Sequence, residues 1–241
     1  MKLVISLKGG SGSGHHGHAG RPGKRGGSLS GSIAVSIRTG RAAAIRAGWK
    51  PTSAVAGLPS EVLHIEDADS VFVQKHLEDL NKFPHKLHEH MGEHVNIYLG
   101  KKPMTELDDN EYLAGEIPRG WEDTGLTWDS VGGSYNSENG NVTLGYSLHG
   151  GSASLAAHEY GHAIGNVLGL DTSVAMRAHH RRLYSGLSPY LQGTGAGSVS
   201  GVQETFAEAI AEVVRYGDDA AFTYDKQFVG WIQEEVFNKW Q

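Results

Sequence analysis

The stretch AAHEYGHAIG, residues 156–165, places His158, Glu159 and His162 within five residues of one another. No other run constrains the chain as much. Two histidines four residues apart share a face only if the segment is helical, and both imidazoles then reach a single ion. Zinc takes His nitrogens readily and keeps one position for water in catalytic sites. Glu159, one step round the helix, is placed to move a proton of that water rather than to bind the ion. The bare pattern is weak: the chain holds 14 His, and a shuffled sequence of this composition would contain His-Glu-x-x-His roughly one time in twenty. It needs a helix, a third ligand and a fold to hold both.

The helix is legible. Ser152 or Ser154 can cap it, and Leu155, Ile164, Val167 and Leu168 supply its apolar positions. The third ligand is not a nearby histidine, because the position six residues beyond His162 is Leu168. A carboxylate from another helix is the other standard solution. Residues 202–214, VQETFAEAIAEVV, repeat Glu204, Glu208 and Glu212 on one helical face, with Phe206, Ile210, Val213 and Val214 elsewhere. Glu204 is assigned to the metal and Glu208 to a hydrogen bond that orients a ligand imidazole. The competing reading is ordinary: three glutamates on the solvated face of an amphipathic helix.

Charge divides the chain. Residues 1–60 carry nine Lys or Arg and no acid, so they are +9, while the remainder is −15. Residues 8–32 are rich in Gly and Ser and lack the apolar surface that offsets ordering entropy. The expected organisation is a basic flexible arm over 1–58 and one compact domain over 59–241. The absence of cysteine excludes disulfides, a thiolate metal site and a thiol nucleophile. No apolar run approaches the ~20 residues of a membrane span. The opening MKLVISLKGG is too short in its apolar part for a signal peptide. No membrane association is expected, and the protein is read as a monomer.

Within the domain the pattern predicts helix from Asp69 to Met91, interrupted at Pro84, then a strand in HVNIYLG. A hairpin follows around Asn139-Gly140 with Val142-Thr143-Leu144 in its second strand. Helices are expected at about 152–167, 173–184, 202–216 and 224–239. The hairpin strand Asn141 to Tyr146 is expected to be an edge along which an extended peptide can lie. A second pattern, His90-Met91-Gly92-Glu93-His94, matches an inverted metal motif, but Gly92 interrupts the helix that it requires. His85, His88, His90 and His94 are therefore read as solvated polarity at a helix end. His15, His16 and His18, in the arm, are read as adventitious metal binders.

HEYGHA followed some forty residues later by ETFAEA resembles the zinc-peptidase domains related to anthrax lethal factor and the bacterial Pro-Pro endopeptidases. The segment IPRGWEDTGLTWDSVGG, residues 117–133, is similar to the run before the edge strand there. The resemblance covers about 60–241 and is strongest at 155–165 and 203–211. It implies an α+β zincin-like metallopeptidase domain of the gluzincin type, with a small mixed sheet, an active-site helix and a C-terminal ligand-bearing helix. It implies Zn2+ held by His158, His162 and Glu204, Glu159 as the base, and Glu208 behind the site. The family also carries a Tyr shortly before the third ligand, thought to stabilise the oxyanion. GAGSVSGVQ, the residues before Glu204, contains none; Tyr190 is nearest upstream and Tyr184 lies further back.

The resulting expectation is a zinc-dependent endopeptidase that hydrolyses a peptide or protein substrate through zinc-activated water. A second hypothesis rests on the arm. GHAGRPGKRGGS, residues 17–28, resembles a glycine-rich stretch of tailed-phage and prophage proteins. With the +9 charge it points to a non-enzymatic phage structural protein whose arm docks nucleic acid or an acidic virion surface, its metal site vestigial.

Overall fold

The computed structural model describes residues 54–108, 110–118, 124–147 and 151–241. The arm up to residue 53, with His15, His16 and His18, lies outside them. Packing starts ahead of residue 59: Val55 is buried in the main core. The Asn81 side chain accepts from Ala56 N (3.1 Å) and donates to Ala54 O (3.1 Å), tying this segment down.

The architecture is α+β. Four short strands, β1 (Leu63–Ile65), β2 (Asn96–Leu99), β3 (Gly133–Asn136) and β4 (Asn141–Leu144), form one sheet in the order β1-β2-β4-β3. β1 and β4 flank β2 in parallel, and β3 pairs antiparallel with β4. The topology follows from the connections. Helices α1 (Val71–Leu80) and α2 (His85–Met91) cross from β1 to β2, as a parallel pair requires, whereas four residues join β3 to β4. Ile97 opposite Val142 and Leu99 opposite Leu144 put four fully buried side chains in the core. Gly140 closes the hairpin at φ +76°, and its N–H bonds Asn136 O at 2.9 Å. A Cβ there would collide with the His94 carbonyl. The order corrects the expected groove: β4 is hydrogen-bonded on both sides, and β3 is the edge strand.

The expected break at Pro84 is present, since Pro84 occupies the N-cap of α2. Leu77, Leu80, Leu87 and Met91 continue one buried stripe across it. The histidines there divide. His85 and His94 are exposed, but His88 is fully buried, not solvated. Its ring nitrogens meet Tyr160 Oη at 2.8 Å and Leu80 O at 2.9 Å. His90 and His94 lie on either side of Gly92, which ends α2, so no common helical face serves them.

The C-terminal half is helical: α3 (Leu155–Leu168), α4 (Val174–Leu183), α5 (Pro189–Gln192), α6 (Val199–Tyr216) and α7 (Lys226–Ile232). Ser154, not Ser152, caps α3, accepting from Ala157 N at 3.2 Å, and Gly169 ends it at φ +66°. The last helix is shorter than expected. After Ile232 it passes into a π turn, Gln233–Phe237, and a 3-10 turn, Asn238–Trp240.

α3 and α6 pack closely because small residues face each other. A Cβ on Gly161 would stand 3.2 Å from Ala207 Cα, and one on Gly165 would stand 3.0 Å from the Phe206 ring. Phe206 and Ile210 are fully buried on the α6 side of this core. No helix among the described residues is long and apolar enough to cross a membrane.

Candidate metal centre

The close approach of α3 and α6 assembles the site. His158 and His162, four residues apart on α3, present rings whose centroids are 4.9 Å apart at 84°. Across the interface, Glu204 Oε2 stands 3.4 Å from His158 Nε2 and 3.4 Å from His162 Nε2. Potential ligand atoms of His158, His162 and Glu204 all lie within 4.8 Å of one another. One turn further along α6, Glu208 Oε2 accepts from His158 Nδ1–H at 3.0 Å and from Ser152 Oγ at 2.9 Å. That bond fixes the His158 tautomer and turns Nε2 towards Glu204.

The glutamates are not a solvated face: Glu204 is 8% exposed and Glu208 5%. The 3.4 Å contacts to Glu204 are longer than good N–H···O bonds. His162 Nε2 and Glu204 Oε2 are left buried without a hydrogen-bond partner among the described residues. Buried polar atoms are rarely orphaned, and two imidazoles and a carboxylate this close together are a donor set that can hold a metal ion.

The electrostatics agree. Burial opposes a charge on His158, but the neighbouring carboxylates of Glu204 and Glu208, with Glu159 close by, outweigh it and push the pKa up to about 10. For Glu204, burial favours the neutral form, yet the imidazoles of His162 and His158 beside it hold it well below the usual carboxylate range. The pocket therefore favours an anionic carboxylate around a positive charge, which a divalent ion supplies.

Glu159 is 1% exposed, next to His158 in sequence and not one of the three converging residues. Its Cγ lies against Gly133 of β3, where a Cβ would come within 2.9 Å. Glu159 and His158 line a cleft of about 170 Å³ together with Gly133, Ser154, His76 and Phe72. The cleft brings together the edge strand β3, α1 and the first turn of α3.

Sequence reasoning missed several contributors. Ser152, considered only as a cap, holds Glu208. Asp79 accepts from Ser154 Oγ at 2.8 Å, fixing the start of α3 from α1. Gln203 Nε2 donates to the buried Asp171 at 3.1 Å, beside Gly165. None carries a sequence signal, because each acts across elements far apart in the chain. Of the two tyrosines, Tyr184 packs its ring against His180 (5.8 Å between centroids), and Tyr190 lies in α5, which packs on α6. The Tyr190 hydroxyl is buried.

The model for the N- and C-terminal domains of anthrax toxin lethal factor matches residues 53–211. The chain belongs to the anthrax toxin lethal factor family. A Pro-Pro endopeptidase of Paenibacillus alvei is 42% identical over 73 residues, covering 29% of this chain and 33% of that protein. A Pro-Pro endopeptidase of Clostridioides difficile is 32% identical over 124 residues, covering 48% of this chain and 52% of that protein. The matched segments thus span about a third and about a half of these relatives. The solved structure of the P. alvei Pro-Pro endopeptidase superposes with a TM-score of 0.56 at 23% identity, covering 72% of this chain and 97% of that one. This family member has the zincin-like peptidase fold.

Proposed function

We propose that the chain is a zinc-dependent endopeptidase acting on peptide or protein substrates. The observation that carries the reading is the clustering of the ligand atoms of His158, His162 and Glu204, with Glu159 beside His158 and against Gly133 of the edge strand. In this reading the three converging residues hold zinc and Glu208 orients His158. Zinc, when bound, supplies Lewis-acid activation of water at neutral pH.

The remaining work falls to the chain. β3 pairs with β4 alone among the described strands, so an extended peptide can align along it by main-chain hydrogen bonds. The Glu159 carboxylate takes a proton from the attacking water and delivers it to the leaving amine. Its burial against Gly133 holds it in one place while it does so. Tyr190, in α5 against the ligand-bearing α6, is the candidate donor to the developing oxyanion put to the test, with Tyr184 as the alternative. The two relatives are named Pro-Pro endopeptidases, and peptides with consecutive prolines are the first substrates to try.

The test is cleavage of a peptide library by zinc-loaded protein, with and without chelator. Glu159→Gln is expected to lower kcat by about 100- to 10,000-fold. Tyr190→Phe is expected to lower it by about 100- to 1000-fold if its hydroxyl is the oxyanion donor. Cleavage that survives both chelation and Glu159→Gln contradicts the reading. The docking hypothesis rests on residues outside those described, and no observation favours it.

A further inference from the structure

One buried polar group beside the site has no role in the account so far. His76, on α1, is 6% exposed, and neither ring nitrogen has a hydrogen-bond partner among the described residues. Its obvious partner is occupied: the Asp79 oxygens accept from Lys82 Nζ at 2.7 Å and Ser154 Oγ at 2.8 Å. Burial lowers the His76 pKa to about 4, against the charge of Asp79, so the ring is neutral at pH 7. A neutral imidazole offers one donor and one acceptor. His88, the other buried histidine of this region, satisfies both its nitrogens within the core. The difference between them is position: His76 lines the same cleft as His158 and Glu159. Its ring is held edge-on by Phe72 (4.4 Å, 85°), which Tyr146 buttresses in turn (5.6 Å, 73°).

We propose that His76 is a specificity-determining residue of this cleft, its imidazole hydrogen-bonding the main chain of the bound peptide in a subsite walled by Phe72. The inference rests on the peptidase reading above. Buried donors and acceptors are satisfied in nearly all folded proteins, and an orphan in a cleft wall is satisfied by water or by the ligand that displaces it. The subsite takes an apolar residue, whose side chain packs on Phe72 while an adjacent amide or carbonyl meets His76. Lys75 and Asp79 are also on the lining, and the Asp79 charge is already met by Lys82.

The experiment compares wild type, His76→Phe and His76→Gln on peptides in which each main-chain amide in turn is replaced by an ester. In wild type, one replacement is expected to lower kcat/KM about tenfold. In His76→Phe, the all-amide peptide is expected to lose about as much, chiefly through KM, and the ester penalty is expected to vanish, as coupled partners require. Its thermal midpoint is expected to stay level or rise, because two orphaned nitrogens are removed, and its zinc content to stay unchanged. His76→Gln keeps a donor and an acceptor, and part of the ester penalty is expected to remain. Should His76→Phe fail to fold, the loss or persistence of that penalty in His76→Gln decides alone. Equal ester penalties in wild type and variants overturn the proposal, as does a loss of cleavage that only tracks a lowered melting temperature. If zinc-loaded wild type cleaves no peptide, the peptidase reading itself fails and this proposal with it.

Discussion

Glu208 Oε2 receives two hydrogen bonds, from His158 Nδ1 and Ser152 Oγ, and so ties the ligand helix to the segment that precedes it. Removing its charge without its shape isolates that role. Glu208→Gln is expected to weaken metal affinity by about 10- to 100-fold, read by competition with a chromogenic chelator. That Glu208 bonds a ligand imidazole was legible in the sequence, because it lies one turn beyond Glu204 on the same helical face; that the imidazole is His158 rather than His162 was not, because it depends on how the two helices pack. Ser152 and His76 were not legible, because their partners come from packing that no local pattern encodes.

Buried histidines also set a pH response. His76 and His88 are both depressed to about 4 by burial, against about 6.5 when unfolded. Their folded forms are neutral, so the unfolded chain binds more protons below pH 6.5. Stability is present in full above that value and is lost as pH falls towards 4, by up to about 3 kcal/mol per group. Urea titrations of chelated protein between pH 7 and 4 are expected to show the fall, and His76→Phe a shallower one. A flat profile would show that the two rings are solvated.

Among elements, the α3–α6 contact decides whether the site exists. Gly161 against Ala207 sets the spacing of the helices, and Glu204 meets the histidine rings only at that spacing. Gly161→Val is expected to destabilise by about 1–3 kcal/mol through overpacking and to lower metal affinity in the same variant. Denaturant unfolding and metal titration measure the two effects. Both helices were readable from capping residues and apolar spacing. The elements that escaped are those whose form is set by tertiary contacts. β1 is three residues long, too short for its alternation to stand out from a loop. The last helix loosens into a π turn where Phe237 stacks on Phe83 and Trp240 on His90. There, aromatic packing overrides a sequence that contains no helix breaker. The hairpin was foreseen, but which of its strands is the edge depended on β2 pairing with β4, a contact between segments more than forty residues apart.

At the scale of the whole molecule, one ion is asked to reconcile several buried carboxylates. Glu159, Glu204 and Glu208 are all buried within the α3–α6 core and its cleft, and without a metal a protonated His158 offsets only part of their repulsion. Chelation is expected to lower the melting temperature by several degrees, and added zinc to restore it. Family membership and fold account for residues 53–211 and the sheet that carries the cleft. The basic segment ahead of them enters none of these arguments. The most direct test of the central claim is metal analysis of purified protein alongside X-ray absorption at the zinc edge. The account predicts one zinc per chain with two imidazoles and a carboxylate in wild type and in Glu159→Gln, and loss of that zinc in Glu204→Ala. Wild-type protein without stoichiometric zinc, or with a zinc signal unaffected by Glu204→Ala, would contradict it.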